Sequence, residues 1–172
     1  VGSDGDGVFV EAAGVNAGYG DDTADVFLSA NRHATSGTNI SRFGSERDGE
    51  RDASLFFNAG LRPLDNLELR AMLRYVETSA EGDPQDFDFP STPTQGFVVD
   101  GNDRTDTEQL YGNVSAELSA FGDLWRTRLN YAFVDGDRKN FSGGFPAFFS
   151  AGDRGKLSLV SALNLETGIA SH

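Results

Sequence analysis

The chain has 172 residues, a formal net charge of −13 and no cysteine. The missing thiols exclude disulfides and thiolate metal sites, and the acidic balance argues against a nucleic-acid partner, because phosphate binding needs a basic surface. No apolar run reaches the roughly 18 residues of a membrane-crossing helix, but barrel strands need only about nine to eleven residues each and half of those can be polar.

The opening Val1-Gly2-Ser3-Asp4-Gly5 has no Met, basic segment or apolar segment. It is not a signal peptide, and the chain reads as though cut from something longer. Gly2-Ser3-Asp4-Gly5-Asp6-Gly7 lacks the Lys-Ser/Thr of a phosphate loop and occurs once, so it reads as a turn into the first strand. That strand covers Val8 to Ala13, with a tight turn at Gly18 to Asp22. The second runs from Thr23 to Thr35, with Ala24, Val26, Leu28 and Ala30 on one face and Asp25, Phe27, Ser29 and Asn31 on the other. Residues 36–51 are polar and Gly-punctuated, which predicts a long loop.

The third strand, 52–61, sets Ala53, Leu55, Phe57, Ala59 and Leu61 against Ser54, Phe56, Asn58 and Gly60. Arg62-Pro63-Leu64-Asp65-Asn66 reads as a short hairpin turn, since proline removes a ladder donor and Asp-Asn tolerates turn dihedrals. The fourth strand points Leu67, Leu69, Ala71, Leu73 and Tyr75 outward and Glu68, Arg70, Met72 and Arg74 inward. Residues 79–105 hold three of the five prolines and predict the longest loop.

The fifth strand has the clearest period of two. Leu110, Gly112, Val114, Ala116, Leu118 and Ala120 oppose Gln109, Tyr111, Asn113, Ser115, Glu117 and Ser119. A Gly122-Asp123 turn leads to the sixth strand, where Trp125, Thr127, Leu129, Tyr131 and Phe133 oppose Arg126, Arg128 and Asn130. Residues 135–154 predict a third long loop. The seventh strand aligns Leu157, Leu159, Leu163 and Leu165, and Thr167 to His172 reads as the next turn.

Short turns thus follow strands one, three, five and seven, and long loops follow two, four and six. This sorting predicts an all-β, antiparallel up-and-down meander forming part of a transmembrane β-barrel, with lipid on one face and a wet lumen on the other. A soluble sandwich has Greek-key crossovers and no reason to sort its loops. Trp125, Tyr131, Phe133 and Tyr75 lie where interfacial aromatic girdles would fall.

Enzyme chemistry is not expected. The only histidines are His33 and His172, there is no Cys, and no G-x-S-x-G or H-E-x-x-H pattern occurs. Four carboxylates fall between Glu81 and Asp88, and Asp83, Asp86 and Asp88 are candidate oxygen ligands for calcium in a flexible loop. The spacing is not that of an EF-hand, and a solvated charge run is the plainer alternative.

Gly44 to Asp52 ahead of an alternating strand, Leu61-Arg62-Pro63-Leu64-Asp65-Asn66-Leu67-Glu68-Leu69, and Arg74-Tyr75 before an acidic loop resemble TonB-dependent outer-membrane receptors, particularly those for vitamin B12 and siderophores. The likeness covers nearly the whole chain in layout. It implies a bacterial outer-membrane location and a barrel of about 22 strands enclosing an N-terminal plug domain. It further implies import of a scarce small-molecule ligand, energised by the inner-membrane TonB protein. No plug or TonB box is visible, so residues 1–172 are read as a partial barrel domain from its N-terminal half. Outer-membrane lipid, the plug and TonB are the implied partners.

Ligand contact would then lie on loops 36–51, 79–105 and 135–154. Arg42, Phe43, Arg47, Phe87, Phe89, Phe141, Phe145 and Phe148 are the candidates, with Phe149 beside them. Two alternatives remain: a soluble secreted or periplasmic β-domain that binds calcium or a protein partner, and a general diffusion porin, which needs no plug.

Overall fold

The computed structural model describes residues 8–122 and 124–164. They form seven strands, β1 (Val10–Gly20), β2 (Ala24–Thr35), β3 (Glu50–Leu64), β4 (Leu67–Gly82), β5 (Asp103–Ala120), β6 (Trp125–Ser142) and β7 (Phe145–Leu163). All belong to one sheet in sequential order, each antiparallel to the next. β1 and β7 each pair on one side only, so the sheet is open. No helix occurs among the described residues.

The period of two in the sequence becomes a two-faced wall. One register row runs Ala17, Leu28, Phe57, Leu73, Gly112, Phe133 and Gly155. Slipping any strand by one residue would move its leucines to the opposite face, so the apolar pattern fixes the register. The adjacent row, on the polar face, runs Asn16, Ser29, Phe56, Arg74, Tyr111, Val134 and Arg154.

Among the described residues no second layer packs on either face. Among the described residues no apolar side chain is buried, and the only buried residues with polar side chains are Ser41 and Asp86. Leu28, Leu55, Leu157 and Leu159 stand open on the apolar face. Stability within the sheet therefore comes from ladder hydrogen bonds and cross-strand pairs, not from a two-layer core.

The short connections have specific causes. Asp21 Oδ1 accepts from the N–H groups of Thr23 and Ala24, both at 2.8 Å, which closes the β1–β2 turn. Leu64 pairs with Leu67 across Asp65-Asn66, and an irregularity between Leu61 and Leu64 absorbs Arg62 and Pro63. The β5–β6 turn carries positive φ at Phe121 (57°) and Gly122 (65°).

Several sequence expectations change: the loops expected at 36–51 and 79–105 shorten to 36–49 and 83–102, because β3, β4 and β5 each run further than their alternation showed. β1 begins at Val10 and continues through Gly14 and Gly18 to Gly20, because a strand ladder tolerates isolated glycines when its neighbour supplies the pattern. The expected loop 135–154 does not exist. β6 and β7 run on to a two-residue turn at Gly143-Gly144, whose φ values of 57° and 80° suit a tight hairpin. Phe141, Phe145, Phe148 and Phe149 are therefore strand residues. The turns proposed for 2–7 and 167–172 lie outside the described residues.

Candidate functional site

The two long connections, 36–49 and 83–102, meet above the same end of the sheet. Asp100 Oδ2 accepts from the backbone N–H of Ser45 at 2.7 Å and of Glu46 at 3.0 Å. Ser41 Oγ donates to the Val98 carbonyl at 3.1 Å, and the rings of Phe43 and Phe97 meet edge-on at 5.3 Å. Gly49 N–H donates to Glu81 Oε2 at 3.1 Å, tying the first loop to the end of β4. A loop cannot bury its own backbone groups without partners. Here the second loop supplies the acceptors and the first loop the donors.

Carboxylates collect at this seam. Asp83 Oδ1 accepts from Gly101 N–H at 3.1 Å, while Asp83 Oδ2 and Asp48 Oδ2 are buried without a hydrogen-bond partner among the described residues. Desolvation, then the charges of Asp83, Asp100 and Glu81, push the Asp48 carboxyl above the ordinary carboxylate range. Asp100 moves the opposite way, held down chiefly by the Glu46 N–H with Ser45 N–H and Ser41 assisting.

The calcium candidates are not gathered at one point. Asp86 is buried and serves its own loop: Oδ2 accepts from Thr92 Oγ1 at 2.5 Å and Thr94 Oγ1 at 2.6 Å, and Oδ1 from Asp88 N–H at 3.0 Å. Those bonds lower its pKa, Thr92 contributing most. Asp88 is exposed and Asp83 belongs to the seam with Asp48. Among the described residues no three His, Cys, Asp or Glu side chains are arranged to hold a metal ion.

The expected ligand-contact residues disperse similarly. Phe43 is spent on Phe97, Arg42 is exposed, and Arg47 is half-buried in the seam loop. Phe87 and Phe89 project from the second loop, Phe89 at 96% exposure. Phe141 lies under the Arg104 guanidinium, 4.4 Å from its centroid, while Phe145 and Phe148 stand exposed on the rising β6–β7 hairpin. All occupy the loop end of the sheet, but no single pocket unites them.

A second region is the polar face of the sheet. Near the short turns its cations are neutralised. Arg62 pairs with Asp25 at 2.9 Å, Arg70 with Glu68 at 2.8 Å, and Arg128 with Glu117. Further toward the loops Asp52 faces His33 at 3.8 Å. Asp100 lies dozens of residues from Ser41 and Asp48 in the sequence, which held no local signal of their meeting. Comparison with protein-family models, with curated proteins and with solved structures gives no match for this chain.

Proposed function

We propose that this chain forms part of the wall of a bacterial outer-membrane β-barrel, in a receptor of the TonB-dependent kind that takes up a scarce ligand such as a siderophore or cobalamin. One observation carries the reading: the sheet is a single layer with an apolar face and, among the described residues, no buried apolar side chain. Each large aliphatic side chain left in water forgoes about 1.5–3 kcal/mol of burial. Leu28, Leu55, Leu73, Leu157 and Leu159 all lie on that face. Their sum rivals the whole stability of an ordinary domain, roughly 5–15 kcal/mol, so the face requires a cover. Lipid covers one face and leaves the other wet, which matches the polar opposite side.

Further features support the same reading. The short β1–β2, β3–β4 and β5–β6 turns share one end, and both long loops lie at the other, beside the two-residue β6–β7 turn. Trp125 and Tyr75 sit near opposite ends of the apolar belt, as interfacial anchors do. In this reading the clasped loops face outside, the short turns face the periplasm, and the polar face borders the lumen. The unpaired edges of β1 and β7 cannot be satisfied in lipid, so further strands complete the wall. A plug domain and the TonB protein belong to the receptor reading, which rests on the sequence resemblance.

Solubility tests it directly. The purified chain should aggregate in plain buffer and recover β-type circular dichroism in detergent. A cooperatively melting monomer in buffer alone would transfer the sheet to the soluble β-domain reading, in which a protein partner covers the apolar face.

A further inference from the structure

The two faces of β4 to β7 carry opposite charge. On the polar face, every position between Asp103 at the loop rim and Glu117 near the short turns is free of carboxylates. The inward residues of β5 over that stretch are Thr105, Thr107, Gln109, Tyr111, Asn113 and Ser115, all neutral. Arg74, Arg138, Arg154 and Lys156 share this face. Arg138 is held only by Asn140 Oδ1 at 3.0 Å, and Arg74, Arg154 and Lys156 make no ion pair among the described residues. Arg154 and Lys156 are two residues apart on one strand, about 7 Å. The opposite face at the same height holds Glu77, Glu108, Asp135, Asp137 and Asp153, and its cations toward the rim, Lys139 and Arg104, are paired with Asp137 and Asp106. In a chain of net charge −13 this separation is not what random placement of charges would leave.

We infer that the polar face of β4–β7 is a track for a small anionic solute, one bearing carboxylate, phosphate or sulfonate groups. The inference rests on the barrel-wall reading and names the class of ligand that wall admits. Unpaired guanidinium and ammonium groups lining a low-dielectric wall raise the local concentration of anions, and the interleaved hydroxyls and amides supply neutral hydrogen bonds that do not hold the solute in place. Near the short turns the cations are already occupied by Glu68 and Glu117, so the attraction is confined to the loop side and middle of the wall.

The test uses the chain folded in detergent micelles and the trianionic dye pyranine, with a cationic dye of similar size as its counterpart. Fluorescence anisotropy at low salt should show pyranine bound and the cationic dye not. Arg74→Gln/Arg154→Gln/Lys156→Gln should weaken pyranine binding by about tenfold, as should a Debye length shortened by salt. Glu108→Gln, on the other face, should leave it unchanged. Should the triple variant not fold, Arg154→Gln/Lys156→Gln on the last strand removes the adjacent pair alone. Equal binding by the variants, or none by a well-folded chain, overturns the inference. So does binding of polyglutamate without pyranine, which would assign the face to an acidic protein segment. Need for detergent reads the apolar face and dye binding reads the polar one, so either can fail without the other.

Discussion

Phe133 lies across Gly112 on the neighbouring strand: a Cβ at Gly112 would stand 2.1 Å from Phe133 Cε1. The two residues are direct cross-strand partners on the apolar face, and the aromatic ring fills the space the glycine leaves. Tyr131 treats Gly155 on β7 in the same way, its Oη 2.9 Å from where a Cβ would lie. Glycine at 112 is thus a packing requirement of the wall.

Gly112→Val should therefore destabilise the sheet by about 1–3 kcal/mol through overpacking. Urea unfolding in micelles will show a lowered midpoint. Combining it with Phe133→Ala should recover most of the loss, because the clash needs both side chains. If the double variant is no better than Gly112→Val, the contact between these two residues is not the cause.

Asp100 joins the two long loops through its contacts to Ser45 and Glu46. Asp100→Ala should leave strand melting unchanged and speed amide exchange at Ser45 and Glu46 several-fold, since loops open independently of the strands beneath them. Asp100→Asn retains one acceptor oxygen and should fall between. A fall in strand stability instead would make Asp100 part of the sheet's own cooperative unit.

The pH response of this seam has two signs. Asp48 has its folded pKa raised above the ordinary 3.8, so loop pairing gains stability as pH falls through that raised value and loses it as pH rises again. Asp86 and Asp100 have lowered values, so their contribution is present above 3.8 and disappears as pH drops through their folded values. Exchange protection of residues 36–49 and 83–102 should peak in mildly acidic solution, above 3.8. Asp48→Asn should flatten the alkaline arm and leave the acid arm in place. A protection curve that rises steadily to neutral pH would contradict the orphaned Asp48 carboxylate.

The faces of the wall were legible because each side chain position carries its own evidence. Leu110 to Ala120 alternate without interruption, and the structure keeps every one of those assignments. The Gly143-Gly144 turn was legible in principle but was masked by Gly136, Gly152 and Gly155, which made residues 135–154 read as loop although they lie in paired strands. Loop partners were not legible at all. Asp100 and Ser45 are 55 positions apart, and only the placement of β3, β4 and β5 beneath them brings the two together. The calcium candidates stand apart for a more local reason, their separate hydrogen-bond partners. Asp83 and Asp86 are near in sequence, yet one turns to Gly101 and the other to Thr92 and Thr94.

Ser158 and Leu159 are chain neighbours on opposite faces of β7, beside Asn130 and Leu129 respectively. Leu159 is open in the isolated sheet and Ser158 half-buried, so in water an arginine at Leu159 would cost no more than one at Ser158. Lipid on the apolar face breaks that symmetry. Leu159→Arg should lower stability in short-chain phosphatidylcholine vesicles by about 2–4 kcal/mol, the cost of an arginine near the bilayer midplane of a barrel, while Ser158→Arg should stay close to the parent. The measurement is a urea titration of the vesicle-folded chain, with fluorescence of Trp125 as the signal. Equal tolerance at both positions would mean that the leucine face meets no lipid, and the barrel-wall reading would give way to a protein cover over Leu129, Leu157 and Leu159.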